Sequence, residues 1–122
     1  MKKKELKQCL QIYAKIKKAL QNRNNTVEIK RKKRTERIEI KPWMYKLPEY
    51  LGLLEKAESV LIRDLIRESI RNGENDQKVL WRLPVSESTF YRWKRQIIDK
   101  IYDLYILSGD VSAEEILLNR IE

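Results

Sequence analysis

The stretch LPVSESTFYRWKR, residues 83–95, decides how this 122-residue chain is read. Leu83 and Val85 bracket Pro84 in a tight turn, and Ser86 follows as a helix cap. The Ser86 hydroxyl is placed to accept the orphan N–H groups at Ser88 or Thr89. Phe90, Trp93 and Ile97 recur on one face of the helix that begins there, with Arg92, Lys94 and Arg95 between and just after the rings. One side of that helix is bulky and apolar, to be held by the protein. The opposite side is small, polar and basic. This is the pattern of the second half of a helix-turn-helix, whose last helix enters a DNA groove.

Upstream, Asn75 or Asp76 caps a short helix over 76–83, with Val79, Leu80 and Leu83 inward and Trp81 and Arg82 toward the edge. Pro48 suits a first helical turn, and from there to about Arg71 helix formers dominate. Tyr50, Leu51, Leu54, Ala57, Leu61, Leu65 and Ser69 form its stripe, with a break expected near Glu58-Ser59 and a stop at Asn72-Gly73. Downstream, the helix from Ser86 continues to about Leu107. Its second half, Ile98, Ile101, Tyr102, Leu104, Tyr105 and Ile106, is apolar nearly all round, so the N-terminal helix or another subunit must cover it. Ser108-Gly109 ends it. Ser112 and Glu115 form a capping box for a last helix over 113–121, with Ile116, Leu117 and Ile121 apolar.

At the other end, residues 3–21 read as a helix in which Leu6, Cys9, Tyr13, Ile16 and Leu20 step by three and four. A surface helix lying on its own domain is the plainer reading of that seam; a dimer contact is the other. Asn22 to Thr26 ends the helix. In residues 27–41, Val27/Ile29 and Ile38/Ile40 alternate with charges around five consecutive basic residues, Lys30, Arg31, Lys32, Lys33 and Arg34. A basic-tipped hairpin fits, and so does a flexible arm. Trp43 and Tyr45, in the connector 42–48, are expected to cover an edge of the core.

The expected fold is therefore all-α: a small helical domain with a C-terminal helix-turn-helix at about 75–106, plus an N-terminal helix and a basic arm or short β-hairpin. The division falls between 1–46 and 47–122. Charge divides there too. Residues 1–46 hold 16 Lys/Arg against 4 Asp/Glu, a charge of +12; residues 47–122 hold 11 against 14, a charge of −3; together they make the net +9. Such asymmetry points to a polyanion partner, with nucleic acid ahead of a membrane surface, which needs apolar anchors beside its charges.

Composition also argues against other classes. The absence of histidine removes the commonest general base and most zinc ligand sets, and there is no phosphate-cradling glycine loop. No enzyme, cofactor or metal is expected. A single cysteine, Cys9, reads as buried filler. With no bilayer-length apolar run and no signal-peptide pattern, the expected location is the cytoplasm.

The segment from Lys78 to Arg95 resembles the helix-turn-helix of sigma-factor region 4. Val79 and Leu80 stand where that pattern has an isoleucine-alanine pair, Leu83 and Val85 fill its turn positions, and Thr89-Phe90 its threonine-valine step. Pro84 replaces the usual turn glycine; proline cannot adopt positive φ, which leaves the backbone of that turn open. Over roughly residues 58–106 the chain looks most like the ArpU/RinA-type phage late-gene transcription regulators. That resemblance implies activation of a phage late-gene promoter, such as one driving packaging and morphogenesis genes, in a bacterial host cytoplasm.

From helix geometry the groove-facing positions are Glu87, Ser88, Tyr91, Arg92 and Arg95, with Arg92 the first choice for a bidentate contact to guanine. Arg95 is assigned to a base or a phosphate, Ser88, Thr89, Tyr91, Lys94 and Arg82 to phosphates, and Glu87 to cytosine or, on the plainer reading, to its own helix N-terminus. Lys30 to Arg34 would add sequence-independent affinity for double-stranded DNA. One such motif rarely suffices for specificity, so a homodimer, or recruitment beside RNA polymerase, is expected. The alternatives are a DNA-recognition subunit of a packaging (small terminase) or recombination machine, a protein adaptor, and, least favoured, a nuclease using Asp99 and Asp103.

Overall fold

The computed structural model describes residues 1–121, without the side chains of 119–121, so the expected apolar side chain of Ile121 lies outside what is described. Helices α1 (Lys3–Gln11) and α2 (Tyr13–Gln21) lead into an antiparallel hairpin of β1 (Thr26–Arg31) and β2 (Arg34–Glu39). A 3-10 turn (Pro42–Lys46) connects to α3 (Leu47–Ala57) and α4 (Val60–Leu65). A π-helical turn (Ile66–Arg71) then precedes α5 (Asp76–Arg82), α6 (Glu87–Leu107) and α7 (Ala113–Ile121). The protein is mostly helical with one small two-stranded sheet, so the N-terminal segment takes the hairpin form rather than the arm.

α6 is the spine. Phe90, Ile97, Ile101 and Tyr105 follow one another at helical spacing and are 0%, 1%, 0% and 0% exposed. α1 and α3 both lie against α6, and in its second half Ile101, Tyr102 and Tyr105 are buried within the chain while Ile98, Leu104 and Ile106 are half-buried. One apolar cluster joins Leu6, Cys9 and Ile16 to Leu51, Leu65, Ile97 and Ile101. At its centre the Tyr105 hydroxyl donates to the Trp43 carbonyl at 2.8 Å. The same ring meets Trp43 and Tyr50 edge-on, at centroid distances of 5.5 and 4.8 Å. The hydroxyl is thereby satisfied inside an apolar setting, where an unmet donor is costly. Trp43 is buried as expected, but Tyr45 on the same turn is exposed.

The N-terminal helix does not run straight from 3 to 21. It breaks at Ile12, whose backbone leaves helical geometry (φ −119, ψ 26). The two halves bury Leu6, Cys9 and Leu10 on one side of the break and Tyr13, Ile16, Ala19 and Leu20 on the other. All five positions of the heptad-like seam are buried in their own chain, which leaves none of that seam for a dimer contact. Burial pushes the Cys9 thiol up to about 12, with Glu5 adding to the effect, as suits a filler cysteine.

Other boundaries fall where local chemistry puts them. The helix after Pro48 breaks at Glu58-Ser59. The π turn stops at Asn72, beyond which Gly73 takes φ +66, a conformation that side-chain-bearing residues avoid. In the hairpin, Val27 and Ile29 face inward and are buried, and Val27 pairs with Ile38. Ser112 caps α7, accepting from the Glu115 N–H at 3.2 Å. The capping box is only half made, because the Glu115 carboxylate turns to the Met1 ammonium instead.

Ion pairs tie the elements at the perimeter. Lys46 bridges to Asp110 at 2.8 Å, Lys41 to Glu5 at 2.8 Å, Arg71 to Glu55 at 2.5 Å, and Lys100 to Glu58. Hydrogen bonds from Lys46 and Ser108 hold the Asp110 carboxyl below the ordinary carboxylate range.

Two measurements test this account. Tyr105→Phe removes one buried hydrogen bond and leaves the Trp43 carbonyl unmet; chemical denaturation should show a loss of about 1–2 kcal/mol with an unchanged denaturant slope. Asp110 has a folded pKa below its unfolded one. Its contribution to stability is thus complete above the unfolded value and fades as pH drops from about 4 through the folded value. Melting temperature should fall over that acid range, and Lys46→Met should flatten the fall.

Candidate nucleic-acid interface

The segment from α5 to α6 is built from local signals. The Asn75 side chain caps α5 by accepting from the Gln77 N–H at 2.8 Å. Val79 and Leu83 are buried, while Trp81 is 86% exposed. The turn then forms around Pro84. The Val85 N–H donates to the Leu83 carbonyl at 2.8 Å, a three-residue turn whose central position wants φ near about −75°. Proline supplies that angle from its ring, so no positive φ is needed and the missing glycine is accounted for. Ser86 caps α6: its Oγ accepts from the Thr89 N–H at 3.2 Å and donates to Thr89 Oγ1 at 2.9 Å.

Phe90 is fully buried and fixes which way the first turns of α6 face. Trp93, expected beside it in the core, is only half-buried. Three residues on, it lies some 60° round the helix from Phe90, at the margin of the covered face. Ser88, Arg92 and Arg95 recur at spacings of four and three on roughly the opposite face, and all three are exposed. Glu87 is exposed in the first turn, where a carboxylate complements the helix N-terminus.

The Ser88 hydroxyl also lies 3.2 Å from that of Ser86, and the remaining residues assigned to this surface have partners within the protein. Tyr91 is half-buried and meets Phe90 edge-on at 5.2 Å. Thr89 is occupied by the cap. Lys94 is bonded to both oxygens of Asp76, at 3.0 and 2.8 Å, and Asp76 in turn accepts from Ser69 at 2.8 Å. Arg82 makes a two-pronged contact with Glu74, at 2.6 and 2.9 Å, with Glu68 at 3.4 Å. The hydrogen bond from Arg82 lowers the Glu74 pKa, and the Arg82 pKa is raised in return. Arg82 and Lys94 thus act as ties of α5, to the preceding segment and to α6 respectively.

In the hairpin, Arg31 and Arg34 face each other at the last pair, and Lys32 and Lys33 form the two-residue tip. All five basic residues from Lys30 to Arg34 are exposed. Glu36 pairs with Arg31 at 3.1 Å and Arg34 at 2.8 Å, which leaves Lys30, Lys32 and Lys33 without a carboxylate partner among the described residues.

A further set of cations was not singled out from the sequence. Lys2, Lys3, Lys4 and Lys7 of the α1 segment share a groove of about 740 Å³ with Arg92 and Arg95. The Lys2–Lys4 run followed by Lys7 at helical spacing was the available signal, but its alignment with α6 depends on the fold. Asp99, weighed with Asp103 for a metal, is paired with Lys3 at 2.5 Å. No group of three or more Cys, Asp or Glu suited to a metal ion occurs among the described residues. Nor, among them, is any helix long and apolar enough to cross a membrane.

No family model matches this chain, and no curated protein or solved structure matches it either.

Ser86→Ala removes the cap at the start of α6 and should cost about 1 kcal/mol in urea unfolding. Amide exchange should accelerate at Ser88 and Thr89 ahead of the rest of α6.

Proposed function

We propose that this protein is a sequence-specific DNA-binding transcription regulator in which α5, the Pro84 turn and α6 act as a helix-turn-helix. The observation that carries the reading is the two-sidedness of α6. Phe90 and Ile97 are sealed in the core while Ser88, Arg92 and Arg95 stand exposed on the other side. A helix anchored this way presents a narrow polar and basic face of the size that enters a major groove.

In this reading Arg92 is the base-reading residue, its planar fork matching the two acceptors of guanine, and Arg95 reaches a base or a phosphate. Ser88 contacts the backbone. Lys32 and Lys33 at the hairpin tip supply sequence-independent attraction, because lysines without a carboxylate partner release counterions from the duplex when they bind it. The resemblance to the sigma-like phage late-gene regulators supports a role as an activator at a late-gene promoter of a phage or prophage. The protein then acts in the bacterial host cytoplasm, as a homodimer or beside RNA polymerase, and without catalysis. Arg82 and Lys94 drop out of the contact set, since each is already neutralised by a carboxylate.

The test is selection of bound fragments from the encoding genome, followed by titration of the recovered site. Enrichment upstream of structural genes is expected. Arg92→Ala should cost about 1–3 kcal/mol and relax preference at one base-pair position. Recovery of no fragment above random DNA, or an Arg92→Ala variant that selects the same site as tightly, overturns the proposal.

A further inference from the structure

The groove between α1 and α6 holds more positive charge than the protein neutralises. Lys2, Lys4 and Lys7 are exposed on one side and Arg92 and Arg95 on the other. Of the lysines lining it, Lys3 is tied to Asp99. The other three lysines and the two arginines have no ion pair with a carboxylate among the described residues. Elsewhere on the same face the chain supplies an acid for each cation it uses structurally, as with Lys94 and Asp76 or Arg82 and Glu74. Here it leaves like charges together, at a cost in mutual repulsion that an external anion removes.

Arg92 and Arg95 belong to two surfaces at once. They lie on the exposed stripe of α6 with Ser88, and they form a wall of the lysine-lined groove. Whatever anion lies against that stripe therefore meets the α1 lysines next. A duplex presents a continuous row of phosphates, about one charge per 1.7 Å of axis, which suits a row of cations on two adjoining helices. We infer that α1 is a second contact to the phosphodiester backbone of the DNA bound by α6, with Lys4 and Lys7 as its phosphate-binding residues. The inference rests on the reading of α6 as the recognition helix. It adds that the N-terminal helix, and not the hairpin tip alone, carries sequence-independent affinity.

The experiment compares the full-length protein with Lys4→Gln/Lys7→Gln and with Lys15→Gln/Lys18→Gln. The second variant removes the same charge from exposed positions of α2 that do not line the groove. Fluorescence anisotropy is read across a salt series on the selected duplex and on a random duplex of equal length. Lys4→Gln/Lys7→Gln should flatten the plot of log affinity against log salt by about 1.8, and weaken both duplexes by roughly thirtyfold at about 0.15 M salt, with their ratio unchanged. Lys15→Gln/Lys18→Gln should leave the slope where it is. An unaltered slope in the first variant, or equal flattening in both, overturns the inference while leaving α6 as the reader of sequence. If the unsubstituted protein binds neither duplex, the recognition-helix reading fails and this inference falls with it. Equal thermal midpoints for the three proteins confirm that each is folded.

Discussion

Burial of one stripe of α6 sets the geometry of everything else. Phe90, Ile97, Ile101 and Tyr105 are sealed in the core, on a helix that lies against α1 and α3, and each such side chain contributes roughly 1.5–3 kcal/mol when taken from water. A continuous helix turns by a fixed angle per residue, so holding its second half in place also settles the direction of its first half. The exposure of Arg92 and Arg95 follows from the burial of Phe90 and Ile97 on the opposite face. The Tyr105 hydroxyl on the Trp43 carbonyl adds direction to what would otherwise be a non-specific apolar contact.

Two local devices complete the orientation of that first half. Pro84 makes a compact turn with ordinary negative φ, and Ser86 satisfies the orphan N–H of Thr89 in the helix that follows. The carboxylates Asp76 and Glu74 then sort the basic residues. Lys94 and Arg82, each drawn onto an acid, hold α5 to its neighbours, and the uncompensated arginines are left facing outward. A count of positive charge alone does not make that distinction; the positions of the acids do.

Much of the fold was legible from the chain. The break at Glu58-Ser59, the stop at Asn72-Gly73, and the caps at Asn75, Ser86 and Ser112 depend on interactions among residues a few positions apart, which the backbone brings together in any context. The heptad-like seam of the N-terminal helix was equally visible, yet its break at Ile12 was not, since no proline or glycine marks it. The diversion of Glu115 from its capping box likewise reflects a neighbour from the other end of the chain.

By itself the sequence determined the kinds of elements, most of their ends, the apolar faces of the helices and the excess of positive charge toward the N-terminus. These are short-range properties, governed by propensity, periodicity and capping. Only the tertiary structure decided which cations are spent internally, that α1 lies against α6, and that Lys4 and Lys7 share a groove with Arg92 and Arg95. Residues some ninety positions apart become neighbours only when buried faces dock, and no local rule carries that information.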